Sequence, residues 1–193
     1  MIVIVDGVPT EAEVPPGTEP VTLDEAKAHL RLGAGDAGED DVIRSAITEA
    51  RGWVEQYTDL VLVRRQLTEN ISSFAKPLRK WPIVSIDAVT YVGAEGVEQE
   101  LPVEGFHAQI SQRPAALLPL SGWPALLPRS PIAVKFTAGF ADFSEINALS
   151  PNIIRAIKTL VTEFYDNRGA PEMSASAEGA AKRLCRPFRI WRT

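Results

Sequence analysis

Side chains capable of acid–base, nucleophilic or metal chemistry are few in this sequence, and their spacing gathers none of them into a site. The two histidines, His29 and His107, stand far apart, and neither has metal-ligand spacing to Cys185 or to a carboxylate cluster. Gly93-Ala94-Glu95-Gly96 lacks the Lys and Ser/Thr with which a phosphate loop grips its ligand. The adjacent carboxylates Asp24-Glu25 and Asp40-Asp41 fall where helices begin, so capping and the positive end of the helix dipole account for them. Cys185 lies among Lys182, Arg183 and Arg186, a setting that lowers a thiol pKa, yet no base neighbours it in sequence. The expectation is no catalytic, cofactor-binding or metal-binding residues, and no cofactor.

What the sequence does offer is a contact chemistry at its far end. Arg186 to Arg192 reads RPFRIWR, with arginines alternating with Phe188, Ile190 and Trp191. Trp and Arg are favoured interface anchors, which makes Arg183, Arg186, Phe188, Arg189, Ile190 and Trp191 the candidate docking residues. Two other readings stay open: a solvated basic tail, or nucleic-acid contact through charge and stacking. The whole chain opposes the last of these, with a net charge of −5 and a sequence pI near 5.2. Charge is also unevenly spread. Asp6, Glu11, Glu13, Glu19, Asp24, Glu25, Asp36, Glu39, Asp40 and Asp41 precede Arg44 against only Lys27 and Arg31, whereas no acid follows Lys182. Such asymmetry points to a partner at one end.

The elements that must hold this end in place follow from periodicity. Thr22-Leu23-Asp24-Glu25 is a capping box opening a short helix marked by Leu23, Ala26 and Leu30, and Gly33 to Gly38 reads as a loop. A second helix starts at Asp40 or Asp41. It buries Ile43, Ala46, Ile47, Ala50, Trp53, Val54 and Tyr57, with Arg51 and Glu55 expected as an outward i,i+4 pair. Ser150 and Pro151 start a third, whose stripe is Ile153, Ile154, Ile157, Leu160, Val161, Phe164 and Tyr165, closed by Asn167, Arg168 and Gly169. Two such stripes are expected to pack on each other. Between them Leu60–Ile71, Ser85–Val92, Val97–Pro102, Phe106–Ile110 and Ala133–Thr137 read as strands, with a hairpin turn at Ala94–Gly96. Ala170–Glu178 reads as a linker, and Ala180–Cys185 as a helical turn.

Strands grouped between helices predict an α+β fold rather than an alternating parallel one. More specifically, two long helices and a short N-terminal helix are expected to form a small antiparallel bundle, with an antiparallel β-region inserted between the long pair. The expected division is an extended arm over 1–19, a main domain over 20–169 and a linker with a basic docking tail over 170–193. Within the main domain the helices fall at 22–32, 40–59 and 151–168 and the β-region at 60–140. At 193 residues, with 45% apolar and 23% charged side chains, the composition is that of a globular protein. No apolar run approaches the roughly 20 residues that cross a bilayer, so no membrane partner is expected. The apolar start at Met1 to Val5 lacks a basic flank and is too short for a signal peptide. One cysteine suits a reducing compartment.

The run Val134, Phe136, Ala138, Gly139, Phe140, then Pro151, then Phe164-Tyr165-Asp166-Asn167-Arg168 resembles the C-terminal half of phage head-tail connector proteins. PVTLDEAKAHLRL at Pro20 to Leu32 resembles the opening helix of that family. DDVIRSAITEARGWVEQYTDL at Asp40 to Leu60 resembles its long second helix, and Arg65–Ile71 with Pro77–Gly96 the β-region of its longer members. The resemblance covers Pro20 to Gly169, making 20–169 a connector domain, and its nearest relatives are head-tail adaptors of tailed phages, prophages or gene transfer agents.

It implies a structural virion protein, not an enzyme. Such proteins form a ring, typically of 12 subunits, between the portal protein and a tail-side connector or stopper. DNA passes through the channel without specific binding. Assembly in the bacterial cytoplasm and residence at the head-tail junction follow, with the portal as the expected partner of the C-terminal docking residues. A tail-completion protein, or an enzyme built from scattered carboxylates, is the alternative.

Overall fold

Helix start signals, apolar stripes and alternating strands are realised as an α+β chain with antiparallel sheets. The computed structural model describes residues 10–11, 19–33, 37–168 and 172–190. It divides into two compact units, one formed by Met1–Val14 with Arg64–Gly139 and the other by Pro15–Val63 with Phe140–Thr193.

The second unit is helical. Its elements are α1 (Leu23–Leu30), α2 (Asp40–Thr58), α3 (Phe143–Leu149), α4 (Pro151–Asp166) and α5 (Ala175–Cys185). Thr22 and Glu25 form the expected capping box, the threonine hydroxyl accepting from the Glu25 amide at 3.2 Å. Ser150 caps α4 and Pro151 occupies its first turn. The stripe Ile153, Ile157, Leu160 and Val161 is fully buried, as are Ile43, Ala50 and Val54 of α2, and the two helices pack on each other. Each large apolar side chain removed from water in this way stabilises by on the order of 2 kcal/mol. Trp53, Tyr57, Phe164 and Tyr165 lie at the margins of their stripes and are half-buried rather than buried.

Several expectations in this unit are corrected. Arg51 and Glu55 do not face outward: the pair is buried, joined at 2.8 Å, with Arg51 also held by Glu19 at 2.8 Å. Glu55 has a reason to be inside, since its other oxygen accepts the Leu62 amide at 2.6 Å. That bond, with the Leu60 amide donating to the Thr58 hydroxyl, removes Leu60–Val63 from the strand expected there. These four side chains are buried in the helical unit, and the strand starts only at Arg65. The stretch after Phe140, for which no element is expected, contains α3, capped by Asp142, which accepts from the Ser144 and Glu145 amides. The expected linker becomes helix from Ala175: Ser174 caps α5, and Ala177, Ala181 and Cys185 recur at four-residue steps as its buried seam. Small side chains let α5 approach α4 and α2 closely, a signal that a search for large apolar residues passes over. The expected loop before α2 carries a 3-10 turn at Ala37–Glu39, and Gly169 lies outside the described residues.

The first unit is β-rich. Its strands are β1 (Thr10–Glu11), β2 (Arg65–Ile71), β3 (Ile83–Val92), β4 (Glu98–Glu100), β5 (Phe106–Gln109), β6 (Ala116–Pro119) and β7 (Ile132–Ala138). A five-stranded antiparallel sheet runs in the order β1-β2-β7-β3-β4, and β5 and β6 form a separate ribbon. The register of β2 on β7 pairs Leu67 with Phe136 and Ile71 with Ile132, placing both on the buried face that strict alternation demands. The predicted hairpin joins β3 to β4: the Gly93 amide donates to Val97, and Gly96 takes the left-handed backbone (φ 79°) that the turn requires. β6, which follows Pro114 and ends at Pro119, is not among the expected strands. The buried face is covered in part by the loop after β2, where Phe74 stacks on Trp123 at 4.4 Å and meets Tyr91 edge-on at 5.9 Å.

Candidate functional site

The docking residues nominated from sequence lie at the end of α5 and in the 3-10 turn Arg186–Phe188 that follows it. Arg183, Arg186 and Arg189 are exposed, while Phe188 and Ile190 are half-buried rather than exposed. Trp191 lies outside the described residues. The segment is not a free peptide up to Ile190. Ala181 and Cys185 are fully buried beneath it, and the Arg189 guanidinium sits over the Tyr57 ring, 5.1 Å from its centroid. Tyr57 in turn stacks on Trp53 of α2 at 5.2 Å and 11°. The result is a ladder of Trp53, Tyr57 and Arg189 that two helices build together. Lys182 is engaged by Glu178 at 2.6 Å, whereas neither Arg183 nor Arg186 has an ion pair among the described residues. Trp53 and Tyr57 were read only as core residues; their i,i+4 spacing at the end of a stripe fits either role, and only the position of α5 decides it.

Residues weighed for chemistry are dispersed. His29 and His107 are both exposed, in different units. Cys185 is corrected from a sensitised thiol to an inert one: burial pushes its pKa up to about 12, and the neighbouring cations do not reach it. Asp40 and Asp41 are held in ion pairs, Asp40 with buried Lys27 and Asp41 with Arg44 at 3.0 Å. Asp24 and Glu25 stand in the first turn of α1. Burial opposes ionisation of Glu25, but hydrogen bonds from Thr22 and the charge of Lys158 outweigh it and hold its carboxyl below the usual range.

A polar groove of about 340 Å³ is lined by His29, Thr159, Glu163, Asp166, Ser174 and Ser176. Its central carboxylate is already committed: Glu163 accepts from the Ser174 amide at 2.7 Å and its hydroxyl at 2.9 Å, bonds that lower its pKa. The groove is thus where α5 is fastened to α4. Among the described residues no three His, Cys, Asp or Glu side chains gather in a metal-binding group, and no helix is long and apolar enough to cross a membrane.

Glu69 is a deeply buried carboxylate of the sheet, inward-facing on β2 and 2% exposed. Burial raises its pKa, against the opposing pull of the Arg79 and Lys80 amides and charges. Its two oxygens receive the Arg79 amide at 3.3 and 3.2 Å, pinning the loop that covers the sheet. On the outer face, burial opposes ionisation of Asp87 more than any other single influence, but hydrogen bonds from Ser85, Gln66 and Thr137 and the charge of Lys135 together outweigh it and lower its pKa. Exposed apolar side chains also collect in the β-unit, notably Val97, Val103 and Leu120 at 59, 60 and 67%. Val97 and Val103 bracket in sequence the acidic edge strand β4, with Glu98 and Glu100 in solvent, and Leu120 follows β6.

A helical unit ending in a cationic and aromatic surface, and a β-unit with an acidic edge among exposed apolar side chains, make a chain equipped for protein contact. Solved structures share its fold. A chain from the neck of an empty GTA particle computed with C6 symmetry matches with a TM-score of 0.73 at 24% identity, over 96% of this chain and 97% of that one. A chain from the virion of a native gene transfer agent particle matches at 0.71 and 25% identity over 96% of both. One from the neck of a native GTA particle computed with C12 symmetry matches at 0.67 and 22%, over 96 and 97%. No protein-family model matches the sequence, and neither does any curated protein. The fold is that of gene transfer agent neck chains over 96% of this chain, in agreement with the resemblance to head-tail connector proteins.

Proposed function

We propose that this chain is a head-tail adaptor: a structural virion protein that forms a ring between the portal and the tail of a phage or gene transfer agent particle and continues the DNA channel. The observation that carries this reading is the match along nearly the whole chain to chains of particle necks, two of them computed with sixfold and twelvefold symmetry. Twelve copies close a cycle through heterologous contacts, each copy offering two different faces. The exposed apolar side chains of the β-unit supply part of that contact. Arg183, Arg186, Phe188, Arg189, Ile190 and Trp191 dock on the portal, and a connector or stopper receives the opposite side. In this reading α1, α2 and α4 act as a small antiparallel bundle, with the β-region inserted in sequence between the long pair. A net charge of −5 keeps the channel wall from holding the DNA phosphates, so the genome slides. The subunit is made in the bacterial cytoplasm and ends at the head-tail junction, and the mechanism needs no catalytic group.

Mixing the purified chain with portal oligomer, followed by negative-stain imaging and light scattering, tests this directly. A second ring on the portal with a bore that admits duplex DNA is the expected result. A chain that binds only finished tails makes it a tail-completion protein, and hydrolytic turnover makes it an enzyme; either overturns the adaptor.

A further inference from the structure

The docking segment is fastened to a helix more than a hundred residues away in sequence, and this changes what the partner must be. α5 is anchored by fully buried Ala181 and Cys185, and Arg189 lies on the face of Tyr57, which stacks on Trp53. Arg183 and Arg186, at the C-terminal end of α5, are exposed and without ion pairs among the described residues. Phe188, in the turn between Arg186 and Arg189, is half-buried.

We infer that Trp53, Tyr57, Arg183, Arg186, Phe188 and Arg189 form one preformed recognition platform, and that it takes an acidic segment of the portal carrying an apolar or aromatic side chain. This rests on the adaptor reading and adds residues of α2 that the tail alone would not need. The partner's chemistry follows from charge complementarity. Guanidinium forks pair bidentately with carboxylates, and half-buried aromatic faces reward an apolar group that excludes water from those pairs. A platform already ordered before binding also avoids the entropy that a free tail gives up on docking.

The experiment uses the full chain and purified portal oligomer. Hydroxyl-radical footprinting is expected to show Trp53 and Tyr57 protected together with Phe188 when portal is present. Tyr57→Leu is expected to weaken portal binding about tenfold, while Tyr57→Phe, which keeps the ring under Arg189, binds as the parent chain does. Raised salt is expected to weaken the parent chain more than an Arg183→Gln/Arg186→Gln double variant. Portal binding that leaves Trp53 and Tyr57 unprotected overturns the platform but not the adaptor. Loss of self-assembly in Tyr57→Leu at unchanged portal affinity assigns the surface to a second copy and overturns it too. Absence of any binding by the parent chain overturns both readings at once.

Discussion

Buried charge is where single residues matter most in this protein. Arg51 is 7% exposed and bridges Glu55 and Glu19, so removing it takes the guanidinium away from a carboxylate buried in the helical unit. Arg51→Met is expected to cost about 3 kcal/mol, measured by urea unfolding, because breaking a buried ion pair on one side outweighs the added apolar contact. A variant as stable as the parent would show that the pair contributes nothing net. Glu69 gives a pH signature with the opposite sign from an ordinary paired acid. Its folded pKa lies above the ordinary 4.5, so ionisation is penalised in the folded state. Between 4.5 and the raised value the folded chain binds more protons than the unfolded one, and stability falls as pH rises through that window. Glu69→Gln is expected to gain on the parent across that window and to hold the gain above it. Parallel pH profiles of the two unfolding midpoints would count against this.

Among the elements, α5 is held by size rather than by greasy area. Ala181 is fully buried at its seam against α4 and α2, where a larger side chain has nowhere to go. Ala181→Leu is expected to cost about 2 kcal/mol and to expose the Cys185 thiol, which in the parent chain is buried and is expected to react with a thiol reagent only on unfolding. Equal thiol reactivity in the two proteins would show that the seam is loose. The same seam explains an uneven legibility. α2 and α4 are visible in sequence because large apolar residues recur at helical steps behind good start signals, whereas only the end of α5, Ala180–Cys185, reads as a helical turn and its start reads as linker, because its stripe is Ala, Ala and Cys around Gly179. β6 hid for another reason: prolines crowd the stretch around it, and a strand confined to a two-stranded ribbon tolerates what a central strand does not.

At the scale of the whole molecule, charge sets behaviour toward DNA. With a net charge of −5 and cations concentrated at one end, the isolated chain is expected to leave duplex DNA unshifted in a gel at about 150 mM salt. A salt-dependent shift would mean that the basic end reads phosphate rather than protein. What the sequence by itself determined was the α+β class, the two dominant helices with the Ser150 cap of α4, and the strands β2, β3 and β7. All of these are set by neighbours along the chain, through helical and strand periods of a few residues. Only the tertiary structure decided that Arg51 and Glu55 turn inward, that Cys185 is inert and that the C-terminal arginine Arg189 rests on Tyr57. Each of those depends on which distant surface arrives to exclude water or to share charge, and no local pattern encodes that arrival.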